Sequence, residues 1–260
     1  MNFFKAIING CLIFASLFVV IIIFSSCLFT NPKSLILAIF SEEVIFAISL
    51  SISTATISTI IAIVLAVPAA YALSRANFAG KGLIDALLDI PIALPPVAIG
   101  TALLIFFTNT PLGVYINNSL IRFVFEVPGI ILAQFSVVSF LAIRMLKPIF
   151  EAVDPLYIKV ARVLGCNEIQ SFFRVTLPLV RNGIFGAAII SWARALGEFG
   201  ATVTLAGATR FKTETLPIAM YLTLATADIE KALALVLILL IVVLSILVIT
   251  RRILRQIAFL

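Results

Sequence analysis

Hydrophobic residues in this chain gather into long runs rather than alternating or narrow amphipathic patterns, and the runs set the first expectation. Ile8 to Phe29 is long enough to cross a bilayer, which takes about 20 residues. Further runs follow at Val44–Leu73 (rich in Ser and Thr, with Pro68 near its end), Pro91–Phe107, Val127–Leu146, Ile184–Ala206 and Ala232–Thr250. The pattern predicts an all-α integral membrane protein with six transmembrane helices in a single membrane domain spanning 1–260. Between the runs, Asn31–Glu43 reads as a short loop, Thr108–Glu126 as a second, and Gly207–Lys231 as a polar loop containing Pro217. Ser74–Asp89 is polar but interleaves Leu83, Ile84, Leu87 and Leu88 with Asp85 and Asp89, as a short interfacial helix does. The third run carries Pro91, Pro95, Pro96 and Gly100, so its first part is expected to be bent or broken. Such backbone is tolerated at membrane depth only where protein or a water-filled cavity satisfies it.

The longest polar interruption is Asp154–Pro178, and it reads as two short helices around a glycine. Asp154 fits an N-cap and Pro155 the first helical position, where its missing N–H costs nothing. Leu156, Val160, Val163 and Leu164 then share one face, with Lys159 and Arg162 off it. Gly165 is placed to end this helix in a left-handed conformation. Asn167 and Gln170 have capping-box spacing for a second helix carrying Ile169, Phe172 and Phe173, and Pro178 is expected to close the motif. An amphipathic pair of this kind set between spans calls for a partner at the membrane surface.

Composition sharpens the class. The chain is 63% hydrophobic and 12% charged, with a mean hydropathy of +1.25. A soluble protein carries about 25% charged residues, so these values exclude a soluble domain. The net charge of +6 marks loops rather than nucleic-acid binding, because the basic residues are scattered and lack interleaved aromatics outside the spans. Twelve Lys and Arg fall on the side that carries Asp154–Pro178 and both termini, five on the other, and Arg194 inside a span. The richer side is expected to be cytoplasmic, so both termini lie inside the cell. Phe24-Ser25-Ser26-Cys27 is similar to a lipoprotein cleavage site, but the run exceeds a signal-peptide core and further spans follow, so it is read as the first membrane helix. Cys11, Cys27 and Cys166 have no metal or redox spacing, and the chain has no histidine. No phosphate-binding GxxxxGK[ST] loop is present and the carboxylates are spread along the chain, so no metal site, catalytic residue or enzymatic role is expected.

Arg194 and Glu198, in WARALGEFGAT, are the most informative intramembrane residues. A charge at the centre of a membrane helix costs about 2.5–3.5 kcal/mol on insertion scales, so neither is expected to face lipid. On a continuous helix Ser191, Arg194, Glu198 and Thr202 occupy one narrow arc. The stripe reads either as a clasp between helices or as the lining of a translocation pathway, with Arg194 offering positive charge to an anion and Glu198 holding it. Ala193, Gly197 and Ala201 form a small-xxx-small row on a neighbouring face, a pattern of tight helix packing.

Lys159–Pro178 resembles the cytoplasmic motif of ABC-importer permeases, E-A-A, three residues, G, nine residues, I, one residue, L-P. Here Lys159-Val160-Ala161, Gly165, Val175 and Leu177-Pro178 keep the spacing, with Lys159 in place of Glu and Val160 in place of Ala. PIALPPVAIGTALL (Pro91–Leu104), SWARALGEFGATVTLAG (Ser191–Gly207) and KTETLPIAMY (Lys212–Tyr221) resemble molybdate/tungstate permeases, and sulfate permeases share the RALGE-type element. The resemblance covers nearly the whole chain from Val44 onward. It implies a type I importer permease whose Asp154–Pro178 segment, through Asp154, Lys159, Ala161, Leu164, Gly165, Leu177 and Pro178, is the coupling-helix pair docking an ATPase. It further implies a permease homodimer, two ABC ATPase subunits that hold the ATP and Mg, an external oxyanion-binding protein, and no cofactor on this chain. A secondary transporter or channel is the competing class; it leaves the spaced Gly165…Leu177-Pro178 motif without a purpose, and a scaffold leaves the broken third span without one.

Overall fold

The computed structural model describes the backbone of residues 3–75 and 79–258, and the side chains of residues 5, 7–75 and 79–248. Arg251, Arg252 and Arg255 therefore lie outside the described side chains. Among the described residues the chain is helical with no strand. In order the helices are α1 (Phe3–Phe29), α2 (Pro32–Ile39), α3 (Glu42–Arg75), α4 (Lys81–Ala93), α5 (Pro96–Asn109), α6 (Pro111–Ser119) and α7 (Val127–Glu151). They continue as α8 (Pro155–Val163), α9 (Glu168–Ser171), a π-helical turn (Phe172–Thr176), α10 (Leu177–Leu196), α11 (Gly200–Ala206), α12 (Leu216–Ala225) and α13 (Ile229–Ala258). Five stretches are long and apolar enough to cross a membrane, and the bent pair α4–α5 supplies a sixth.

The core is built on α3 against α7. Small side chains of α3 (Ala55, Ala62, Ala66, Ala70) meet Val138, Ala142 and Ile143 of α7, so the two backbones approach closely along most of their length. Within this contact Ser58 Oγ donates to Gln134 Oε1 at 3.2 Å, which satisfies two buried polar groups with each other. α10 packs on both helices through Val180, Ala187, Ala195 and Leu196. α1 is exposed along nearly its whole length and rests mainly on α13, as an apolar helix surrounded by lipid tails does.

Three stretches expected to be loops contain helices. α2, α6 and α12 begin at Pro32, Pro111 and the Leu216-Pro217 pair, and Asn31 and Thr110 cap the first two by accepting from Lys33 N–H and Gly113 N–H, each at 3.0 Å. A proline in the first turn starts a helix as readily as it marks a loop. α12 is no polar loop at all, since Leu216, Pro217, Ile218 and Ala219 are buried against α3 and α13.

Both irregular spans depart from their expected bounds. The third span is broken as expected and starts further back: Pro91 lies inside α4, and α4 and α5 meet at 105° across Leu94-Pro95. The fifth span was expected over Ile184–Ala206; its helix instead runs to Leu196 from as far back as Glu168 and breaks before α11. The two breaks lie against each other. A Cβ on Gly100 would stand 2.7 Å from Ala201 O and 2.8 Å from Ala201 Cα, and one on Gly200 would stand 2.9 Å from Val97 Cγ2. The close approach of α5 and α11 thus requires glycine at both places. The expected Ala193/Gly197/Ala201 row does not form, because α10 ends at Leu196 and Gly197 is exposed.

Ion pairs close both ends of the bundle. At the end carrying α8, Asp85 binds Arg144 (2.8 Å) and Lys147 (2.6 Å), and Asp89 also binds Arg144. There Arg75 Nη2 donates to the carbonyls of Phe150 and Val153 (3.0 and 2.5 Å) where α7 ends. At the opposite end Glu43 binds Arg210 (3.1 Å) and Lys231, and Glu126 binds Lys212 (2.6 Å). Glu214, in the connection before α12, is 1% exposed and lies beside the Glu43 carboxyl. Burial pushes the Glu214 carboxyl above its ordinary pKa, and the neighbouring Glu43 carboxyl adds to the rise.

Two outcomes follow from these contacts. Gly100→Val is expected to cost about 1–3 kcal/mol through overpacking against the α11 backbone, read as a lowered melting temperature of the purified protein. Because the folded Glu214 carboxyl titrates above its unfolded value of 4.5, its stabilising contribution is full below that pH and is lost as pH rises through the folded value. Glu214→Gln is therefore expected to flatten the fall in melting temperature from acidic to neutral pH, and to be at least as stable as the parent at neutral pH.

Candidate functional site

The first candidate region is the α8–α9 projection. Asp154 accepts from Leu156 N–H at 2.8 Å and Pro155 occupies the first helical position. Gly165, at φ +89°, ends the helix: Cys166 N–H donates to Ala161 O at 3.0 Å and Gly165 N–H to Arg162 O at 3.1 Å, the paired bonds of a Schellman stop. Asn167 and Gln170 form a reciprocal capping box at 2.8 and 3.0 Å. Pro178 does not end the segment. The π turn is closed by Leu177 N–H on Phe172 O, five residues back, and places Pro178 inside the first turn of α10, where no intrahelical N–H is needed. Phe172 anchors the projection by packing, tilted by 59°, against Tyr71 of α3 (4.8 Å), which in turn meets Phe150 of α7 (5.6 Å).

What the projection presents is apolar. Leu156, Tyr157, Val160, Val163, Leu164, Ile169 and Phe173 are exposed, Val163 by 87% and Leu164 by 79%. Ala161 is buried beneath them, and Lys159 is exposed beside them. The amphipathic face expected from the sequence thus stays exposed among the described residues, and local hydrogen bonds cap both of its helices.

The second region is the pair of helix breaks. Arg194 lies in the last turn of α10, where the negative end of the helix dipole suits a cation. Its Nη1 donates to Glu198 Oε2 at 2.6 Å, while Glu198 Oε1 accepts from Ala201 N–H at 3.0 Å. One carboxylate therefore joins the end of α10 to the start of α11. Ser191 and Thr202 are fully buried, and neither hydroxyl has a partner among the described residues. The four residues do not share one helical arc, because Thr202 belongs to α11 beyond the break. A small cavity of about 120 Å³ brings Arg194 together with Pro91, Leu94 and Pro96 of the other break and with Val137 and Leu141 at the middle of α7. Pro95 sits at the N-cap of α5, and Gly100 faces α11 rather than the cavity.

Sequence reasoning missed the Asp85–Arg144–Lys147 cluster, the Arg75 latch and the Glu43–Glu214 contact. Their members are dozens of residues apart with no periodic relation. The one available signal was the placement of acidic residues on a short helix facing a basic loop.

The comparisons with known proteins agree with this architecture. Residues 58–258 match the family described as binding-protein-dependent transport system inner membrane component. A probable molybdenum ABC transporter permease of Haloferax volcanii is 37% identical over 202 residues, covering 78% of this chain and 72% of that one. The molybdate/tungstate transport system permease WtpB of Pyrococcus abyssi is 35% identical over 174 residues, covering 67% and 65%. Among solved structures, a chain of a bacterial alginate ABC transporter in complex with an alginate-bound periplasmic protein shares the fold, with a TM-score of 0.75 at 16% identity over 99% of this chain and 98% of that one. With a match that takes in both helix breaks and the α8–α9 projection, the chain belongs to the family of inner-membrane components of binding-protein-dependent transport systems.

Proposed function

We propose that this chain is the permease subunit of an ATP-driven importer of molybdate and tungstate. The observation that carries the reading is the α8–α9 projection: an exposed apolar surface, rigidly capped at both helices and held against α3 and α7 by Phe172 and Tyr71. Such a surface fits a groove on a separate ATPase, and the names of the molybdenum and molybdate/tungstate relatives supply the cargo. Asp154, Ala161, Leu164, Gly165, Leu177 and Pro178 shape the docking element, and Lys159 makes it more basic than the family pattern. Shape and apolar contact outweigh charge at that interface.

The chain itself is non-catalytic and binds no cofactor; ATP and Mg sit on two partner ATPase subunits. Two copies of the permease form the pathway, and an external binding protein delivers the oxyanion. An open apolar groove along α3 and α10, lined by Ile60, Val64, Phe185 and Trp192 among others, offers a surface for the second copy. Both termini and the projection face the cytoplasm, in keeping with the excess of Lys and Arg there. ATP binding draws the two projections together, and the motion passes through the π turn into α10, so the pathway alternates between inward- and outward-open states. Residues at the breaks (Pro91, Pro95, Pro96, Gly100, Ser191, Arg194, Glu198, Thr202) line or brace that pathway. An exposed guanidinium and an interrupted backbone at this depth need water or protein beside them, not lipid.

The deciding experiment is ATP-dependent uptake by the reconstituted complex with molybdate, tungstate and sulfate offered in parallel. Uptake of the first two above sulfate is expected. A preference for sulfate would reassign the cargo, and uptake independent of ATP would overturn the class. Leu164→Asp is expected to cut ATPase co-purification at least tenfold while leaving the spans folded; undiminished co-purification would refute the docking role. Gly165→Val puts a β-branched residue at positive φ, a strain of about 1–2 kcal/mol, and is expected to abolish uptake. Normal uptake in that variant would remove the helix stop from the mechanism.

A further inference from the structure

The Arg194–Glu198 pair is unequal in a way that a simple clasp does not explain. Glu198 is 1% exposed and uses both oxygens, one on Arg194 and one on Ala201 N–H. The Arg194 side chain is 38% exposed and meets Glu198 through Nη1, while a guanidinium carries five N–H donors in a planar fork. The carboxylate is the buried anchor and the guanidinium is the group held out from it. Arg194 forms part of the wall of the 120 Å³ cavity at the middle of α7, together with Pro91, Leu94 and Pro96. That volume is on the order of a few waters at ~30 Å³ each, well below the ~300–1,000 Å³ of pockets for organic ligands. It suits a compact anion. The first turn of α5 starts at the same cavity, with Pro95 as N-cap and no side-chain cap, so the positive end of that helix dipole lies at the cavity wall. The rest of the lining is apolar, so the guanidinium acts in a low dielectric.

We propose that this cavity is an oxyanion-binding site within the translocation pathway, with Arg194 as the recognition residue and Glu198 as the residue that positions it. The assignment rests on the oxyanion-import reading above and deepens it by locating the cargo. Tetrahedral oxyanions present paired oxygens that match the guanidinium fork, so charge alone does not replace Arg194. Glu198 tempers the affinity: a guanidinium already paired holds the anion weakly enough to release it.

The test uses the complete permease–ATPase complex without binding protein, with tungstate as the probe, and compares Arg194→Gln, Arg194→Lys and Glu198→Gln. Each variant is checked for intact assembly by gel filtration and melting temperature. Arg194→Gln is expected to weaken tungstate binding at least tenfold and to lower maximal uptake with saturating loaded binding protein; Arg194→Lys is expected to restore part of both. In Glu198→Gln the side-chain oxygen still accepts from Ala201 N–H, but the amide no longer pairs with Arg194. Tungstate is then expected to bind at least as tightly as in the parent and to leave more slowly. If Arg194→Gln and Glu198→Gln instead lose stability together with tungstate affinity unchanged, the pair is a clasp only and the proposal fails. Parental uptake by assembled Arg194→Gln overturns the site while leaving the import reading intact. Absence of oxyanion uptake by the parent complex overturns both.

Discussion

A bilayer offers no water to a broken helix, and this fold is arranged around that shortage. Two of its spans are interrupted, at Leu94-Pro95 and at Gly197–Phe199, and each interruption leaves backbone groups that the protein must satisfy. The solution is to stack one break on the other. Gly100 and Gly200 let α5 and α11 come into backbone contact, prolines at 95 and 96 remove two donors that would otherwise need partners, and Glu198 takes the Ala201 N–H while holding Arg194. Without that carboxylate the start of α11 and the end of α10 would have no common anchor, and the Arg194 side chain would have no fixed position beside the cavity. The remaining helices serve as a frame: α3 and α7 locked by small residues, α12 filling the space beneath Glu43 and Glu214, α1 outside on α13.

The ordinary parts of this architecture were legible because their causes are local. Length and hydropathy give the spans, Asp154 and Asn167 give the helix starts, and Gly165 gives the stop, since each depends on residues within one turn. The errors have the opposite character. Projecting Ser191, Arg194, Glu198 and Thr202 onto one wheel assumes a continuous helix, whereas α10 is capped at Gly197 and α11 starts at Gly200. At the break Gly200 packs against Val97, a contact just over a hundred residues away in sequence. Pro178 misled for a related reason: a proline is a stop only if the preceding register is α, and here a π turn absorbs it. Pro32, Pro111 and Pro217 read as loop residues, but the same residue type opens a helix once an N-cap precedes it.

The count of Lys and Arg predicts a side for each loop and says nothing about pairing. The count of basic residues orders the two ends of the bundle, yet the structure uses those residues for particular ends: Arg144 and Lys147 bind α4 through Asp85, and Arg75 closes the carbonyls at the end of α7. At the other end Glu43 collects Arg210 and Lys231 and leaves Glu214 beside it without a cation of its own. The two ends therefore differ in kind. One is tied by a shared cluster of ion pairs, and the other holds a buried carboxyl whose state depends on its surroundings.

The π turn at Phe172–Thr176 has a mechanical meaning beyond its accommodation of Pro178. Because α9, the π turn and α10 follow one another without a loop, Glu168–Leu196 is a single rod of 29 residues, on the order of 40 Å at ~1.5 Å per residue. A displacement of its outer end is passed along the rod toward Arg194. The one yielding element in the rod is the wide turn itself. There a shift of one residue in hydrogen-bond register changes the length by about 1.5 Å and swings the far end about its axis by roughly 100°. A connecting rod with a single ratchet near its driven end can hold two settings and little between them.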